Sequence, residues 1–132
     1  MKVVETFPPL FREINEKFDV RGKPVIYTYG DTVYNPSRIT IPPYLMVHER
    51  VHSQQQGNEP EYWWRIYLAN KDFRLAEELE AHIAELNYRG AMSPTSDREK
   101  LREEVATRLS SPIYGNMIDY VGARILLANY PQ

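Results

Sequence analysis

Two histidines four residues apart enclose a glutamate in the run His48-Glu49-Arg50-Val51-His52. On a helix, residues four apart stand about 40° from each other around the axis, because each turn takes about 3.6 residues. Both imidazoles therefore point the same way, one turn apart, and can close on a single metal ion. Glu49 is rotated by about 100° from His48 on the same geometry. That places it beside the ion without ligating it, where a carboxylate can take a proton from a metal-bound water. The competing reading is a partly buried polar seam on an amphipathic helix. The residues just upstream, Arg38-Ile39-Thr40-Ile41-Pro42-Pro43, read as a strand turning into a helix through prolines, the setting that the motif requires.

The rest of the chain must hold this helix. Its 132 residues suffice for one domain with its own core and fall short of two. Apolar residues make up 42% and charged residues 26%, the proportions of a soluble globular protein. The net charge is −2 with Lys and Arg scattered, which leaves no electrostatic footprint for nucleic acid. No apolar run approaches the roughly 20 residues that span a bilayer. The opening Met1-Lys2-Val3-Val4-Glu5-Thr6 lacks the apolar segment of a signal peptide, so no membrane partner and a cytoplasmic location are expected. With no cysteine, any metal ligands must come from His, Asp and Glu.

The periodicity predicts an α+β fold: a small three-stranded antiparallel sheet and a mainly helical remainder. Pro8 and Pro9 open a helix in which Leu10, Phe11, Ile14 and Phe18 recur at helical spacing, and Gly22 and Pro24 end it. Val25 to Tyr29 and Thr32 to Tyr34 are β-branched and aromatic, separated by the hairpin signal Gly30-Asp31. Arg38 to Ile41 is expected as the third strand of a meander. The motif helix starts at Pro43, which suits a first turn, and stops near Gly57-Asn58. Pro60 opens a helix whose Tyr62, Trp63, Trp64 and Tyr67 read as core. Asp72 is the expected cap of the next helix, running to Gly90. After a loop, Ser96 with Glu99 forms a capping box for a helix to about Leu109. A second loop, Ser110 to Gly115, leads to Asn116 as the cap of a last helix, Met117 to Asn129, with Ile118, Val121, Ile125 and Leu126 as its expected buried face.

Two histidines leave a catalytic zinc short of a third protein ligand. The extension H-x-x-G-x-x-H of the metzincins is excluded, because Gln55 and Asn58 occupy the later positions. A glutamate on a later helix is the remaining common solution, and Glu78-Leu79-Glu80-Ala81-His82 lies 26 residues beyond His52 with one predicted helix between. In this order of elements, from about Thr28 to Arg89, the chain resembles the gluzincins, zinc metallopeptidases with H-E-x-x-H and a distant glutamate. The likeness is to small soluble members whose second helix reads E-x-E-A-D. The resemblance implies a zincin-like fold, one zinc per chain on His48, His52 and Glu78, Glu49 as general base, and a peptide or protein substrate. The sequence departs where the family has an aspartate four residues after the ligand, here His82. That residue normally supports a ligand histidine, and a histidine there either does the same or competes as a ligand. The helical arrangement separates the neighbouring glutamates: Leu75, Leu79, Ile83 and Leu86 fall within about 80° of arc and should face the core. Glu77 then points to water, Glu80 lies on the far flank, and only Glu78 shares a flank with His82.

The implied activity is peptide-bond hydrolysis by a zinc-activated water. A second donor to the oxyanion is usual, and Tyr114 and Tyr120 are its candidates here, each also readable as packing. An extended substrate would pair with the strand Arg38 to Ile41. Two other readings stand beside it: a metal-binding structural or interaction module without proteolysis, and a hydrolase of a non-peptide amide. Glu49 discriminates against the first, because a structural site closes four ligands and needs no free carboxylate beside the metal.

Overall fold

A computed structural model describes all residues, 1–132. The elements follow in the order β1 (Lys2–Val4), α1 (Phe11–Phe18), β2 (Tyr27–Tyr29), β3 (Thr32–Tyr34), α2 (Pro43–Gln56), α3 (Pro60–Ala69), α4 (Lys71–Met92), α5 (Arg98–Leu109) and α6 (Tyr120–Leu126), with a 3-10 turn at Pro112–Tyr114. No helix is long and apolar enough to cross a membrane.

The sheet is mixed, not the antiparallel meander expected. Its order is β1-β3-β2, with β1 parallel to β3 and β2 antiparallel to it. The hairpin β2–β3 turns at Gly30, whose φ of 63° carries no Cβ penalty. The missing strand is Arg38 to Ile41, and the buried Asn35 explains the loss. Its side chain accepts from Ile39 N at 3.1 Å and donates to Ile39 O at 2.9 Å, taking the two groups that a ladder would pair. Arg38 adopts φ 55°, which breaks the extended run. The N-terminal strand fills the place instead, joined by Lys2 N to Asp31 O and by Asn35 N to Val4 O.

Helix boundaries shift where another side chain reaches the free N–H groups first. Asn70 caps α4, accepting from Asp72 N and Phe73 N, so that Asp72 lies inside the helix. Asp97 takes the place of Ser96 and accepts from Lys100 N. Asp119 takes the place of Asn116 and accepts from Gly122 N, while Asn116 sits at φ 54°, outside any cap geometry. Beginning later, α6 turns Ala123 inward and is followed by a buried Leu127. Its expected core residues Val121 and Ile125 are 66% and 70% exposed, and Leu126 also faces out. α1 stops at Asp19, left-handed at φ 52°, ahead of Gly22.

Two apolar clusters result. Phe11, Ile14, Phe18, Tyr27, Trp63, Trp64 and Tyr67 join α1, β2 and α3. Leu86, Leu101, Val105, Leu109, Ala123 and Leu127 join α4, α5 and the C-terminal segment. Each fully buried large side chain contributes about 1.5–3 kcal/mol. Between them α2 packs along α4 through a polar seam. The buried face of α4 is Arg74, Glu78, Ala81, His82, Glu85, Leu86 and Gly90. Leu75, Leu79 and Ile83, expected to define the core face, are half-buried at the edge of the second cluster.

The C-terminus is strapped onto α4 and α5. Gln132 N donates to Asn87 Oδ1, while Arg98 and Arg102 donate to the carbonyls of Pro131 and Tyr130. A Cβ on Gly90 would stand 2.8 and 2.9 Å from ring carbons of Pro131. Gly90→Ala gains helix propensity of about 1 kcal/mol and incurs overpacking of about 1–3 kcal/mol. The expected outcome is a lower thermal unfolding midpoint. A midpoint equal to or above that of the native chain would show that the strap yields freely.

Candidate metal centre

The motif helix projects His48, Glu49 and His52 inward, each at most 5% exposed. From α4, Glu78 meets them at 4% exposure. His48 Nε2 and His52 Nε2 are 3.1 Å apart, and Glu78 Oε1 lies 3.2 Å from the first and 3.1 Å from the second. Three ligand atoms at about 2.0–2.1 Å from one ion, at tetrahedral angles, lie about 3.3 Å from each other. The triangle therefore has the dimensions of three corners of such a site, and these residues lie close enough to hold a metal ion.

The outer hydrogen bonds show which atoms point inward. His52 Nδ1 is 2.8 Å from Gln55 Oε1, an acceptor only, so Nδ1 carries the proton and donates. Gln55 is itself oriented by donating Nε2 to Glu77 O and Glu80 Oε1. Tyr67 donates to Glu78 Oε2 at 2.6 Å, which leaves Oε1 as the oxygen on the triangle. On the far side of His48, Nδ1 lies 3.3 Å from Glu85 Oε1, short of hydrogen-bond alignment and with no other partner. Three lone-pair sites thus face one point. In a buried setting that arrangement requires a cation or a shared proton.

Without a metal, a proton fills that role. Burial alone would depress His48, but its interactions with Glu78 and Glu85 raise it to about 10. Burial works to raise Glu78, yet the charge of His52 and the bonds from both histidines hold its carboxyl well below the usual range. Glu49 is raised, chiefly by burial. Its Oε1 accepts from the Thr28 hydroxyl at 3.2 Å, and its Oε2 stands 3.8 Å from His48 Nε2, off the triangle.

The remaining sequence candidates divide. His82 is fully buried, its ring 4.3 Å from that of His48. Neither nitrogen supports a ligand histidine: Nδ1 faces Glu85 Oε1 at 3.3 Å and Nε2 faces the Tyr114 hydroxyl at 3.0 Å. Burial and then the charge of His48 lower it to about 4, so it is neutral. With Nδ1–H donated to Glu85, Nε2 accepts the Tyr114 proton. Tyr114 lines the cavity beside the triangle, but its one hydroxyl proton is already committed to His82. Tyr120 is 41% exposed and bonded to Arg124, away from the site. Glu77, expected in water, is half-buried and accepts from Trp63 Nε1 at 2.9 Å, while Glu80 is exposed.

Sequence reasoning missed Gln55, Tyr67, Arg74 and Glu85. Arg74 is buried and donates to Tyr67 O at 2.7 Å and Tyr114 O at 3.0 Å, fixing both tyrosines. Glu85 had a readable signal, because positions 78, 82 and 85 follow the i, i+4, i+7 spacing of one helix face. Gln55 had one as well, lying three residues beyond His52 on the same helix, whereas Tyr67 and Arg74 act through tertiary partners and had none. A cavity of about 210 Å³ opens beside the triangle, lined by Glu49, Glu78 and Tyr114 together with apolar side chains such as Ile14, Phe18 and Trp64.

The edge of β2 runs beside this cavity, and part of it is covered. Thr28 O accepts from Gln56 Nε2 at 2.8 Å and from Trp64 Nε1 at 2.9 Å, and Gly30 N donates to Gln56 Oε1. Strand addition at Arg38 to Ile41 has no strand to join. In comparisons with protein-family models, curated proteins and solved structures, nothing matched the chain.

Alanine at His48, His52 or Glu78 should each weaken zinc binding by more than ~100-fold, beyond what outer partners cost. Alanine at Glu77 or Glu80 should leave it within a few-fold. Retention of zinc by Glu78→Ala would remove this residue from the ligand set. Proton release is a separate readout. The folded metal-free state holds the His48 proton more tightly than the unfolded chain. Its stabilising contribution is complete below about pH 6.5 and is lost as pH rises through about 10. Zinc loading at pH 8 should therefore release nearly two protons per chain, one from His48 and most of one from a bound water whose pKa lies near ~7, measured by calorimetry in buffers of different ionisation enthalpy. Release of one proton or less, as from ordinary imidazoles and the bound water alone, would contradict the proton-filled triangle.

Proposed function

We propose that the chain is a zinc-dependent metallopeptidase of the gluzincin type, with His48, His52 and Glu78 as the ligands and Glu49 as general base. The observation that carries this reading is the triangle of three inward-facing donors with a second carboxylate, Glu49, buried beside it and not part of it. The donor set of two imidazoles and one carboxylate, without sulfur, suits zinc, and three protein ligands leave a position open. When bound, the ion would supply an acidified water, with a pKa near ~7, and polarisation of a carbonyl.

The chain's own residues supply the rest. Glu49 takes the proton through Oε2, while Thr28 holds Oε1 in place. Burial raises its carboxyl in the metal-free protein, making it a stronger base than an exposed glutamate. Tyr67 keeps Glu78 turned toward the histidines. The apolar walls of the cavity exclude water and strengthen each of these interactions.

A second reading, hydrolysis of a short non-peptide amide, is favoured by two observations. The cavity of about 210 Å³ is smaller than the roughly 300–1,000 Å³ of drug-sized ligand pockets. The covered edge at Thr28 and Gly30 also limits how far an extended chain can pair.

Glu49→Gln should keep zinc at native stoichiometry and lose at least ~10²-fold in hydrolysis, the smaller end of general-base contributions. The assay pairs an unfolded protein with short acylated amides, each with and without chelator. Native-rate cleavage by the variant would end the general-base assignment. Cleavage of the short amides alone would select the second reading, and a zinc-loaded protein that cleaves neither would favour a binding module.

A further inference from the structure

We propose that Glu85, neutralised by Arg108 from α5, is the carboxylate that orients His48 and fixes its tautomer, so that Nε2 is the atom presented to the metal. This inference rests on the ligand reading of His48, and does not depend on which bond is hydrolysed. Glu85 is fully buried on α4, one turn beyond His82. Its Oε1 faces two ring nitrogens, His48 Nδ1 at 3.3 Å and His82 Nδ1 at 3.3 Å. Its Oε2 is bonded by Arg108, with Arg89 Nη1 at 3.9 Å behind. The two oxygens are thus divided between an imidazole side and a guanidinium side.

This geometry decides between two uses of the cluster. His48, His82 and Glu85 also lie close enough to hold a cation of their own. A second ion there would have to share a carboxylate already paired with a permanently charged guanidinium, and would require deprotonating His48 at both nitrogens. An accepting role for Oε1 needs neither. His48 Nδ1 is a buried polar atom lacking an aligned partner, and a modest rotation of its ring toward Glu85 makes the bond. Donation from Nδ1 leaves Nε2 bare and more basic, which is what a ligand imidazole needs. His82, sharing the same oxygen, is held with Nε2 toward Tyr114 and so cannot turn toward the ion. The site's first histidine is thereby tied to the packing of α5, which carries no ligand.

The test uses the full chain with zinc and, for spectra, cobalt. Glu85→Ala should weaken zinc binding 10–100-fold, while Glu85→Gln, which can still accept the bond without the charge, should lose less. Long-range proton–nitrogen correlation spectra of the zinc form should show His48 protonated at Nδ1. That Nδ1–H resonance should move upfield in Glu85→Gln, and the cobalt absorption of Glu85→Ala should change. A purely structural role would leave the resonance of the folded Gln variant in place. Native zinc affinity and an unshifted Nδ1–H in Glu85→Gln would overturn the inference, and this variant decides the matter should Glu85→Ala fail to fold. Two zinc ions per native chain would overturn it in favour of the second ion. A native chain that binds no zinc would remove both this inference and the ligand reading beneath it.

Discussion

Three lone pairs aimed at one point, from His48, His52 and Glu78, set the terms for the rest of this molecule. Bare nitrogen and oxygen acceptors at about 3 Å repel each other in a low-dielectric interior, and burial removes the water that would relieve them. The fold has to hold them there regardless. It does so by making the seam between α2 and α4 polar and by placing the apolar material on either side. A positive charge at the centre, proton or metal, converts the most costly feature of the core into a strong one.

The flanking clusters explain why the seam can exist in a chain this small. The first, rich in aromatics, clamps β2 and α3 against the motif helix, and its polar edges are used as well as its area. Trp64 and Gln56 both donate to Thr28 O, which fixes the strand whose Thr28 hydroxyl steadies Glu49. Trp63 stacks on Tyr67, whose hydroxyl fixes the free oxygen of Glu78. The second cluster holds α5 against α4 and so brings Arg108 to Glu85. Glu49 and Glu78 are therefore each held by a hydrogen bond whose other end is rooted in apolar packing. Such an arrangement gives the geometric precision that metal ligation needs.

The same clusters limit what can reach the centre. Side chains of the aromatic cluster form much of the cavity wall, so the site opens onto a largely apolar surface. The neighbouring strand edge is partly occupied by the protein's own side chains. Access is consequently through a small cavity.

The sequence by itself determined the local matters. Helical periodicity placed the motif helix, its stop at Gly57, the proline-led α3 and the hairpin at Gly30, because these depend on backbone preferences of a few adjacent residues. The same 3.6-residue arithmetic put His48 and His52 together and separated Glu78 from Glu80. Tertiary structure decided whatever depended on a distant partner. Asn35 spends its side chain on Ile39 and cancels a strand that the β-branched pattern of Arg38 to Ile41 favoured, and the N-terminus supplies one instead. Caps went to Asn70, Asp97 and Asp119, because docking of the flanking chain chose among several competent residues. The buried face of α4 is polar, since its neighbour α2 presents imidazoles rather than leucines, and hydrophobic periodicity cannot register a core whose cohesion is electrostatic. For the same reason Tyr67 and Glu85 could not be assigned their partners on other helices, Glu78 for the first and His48 and Arg108 for the second, because only packing brings those helices within hydrogen-bond range.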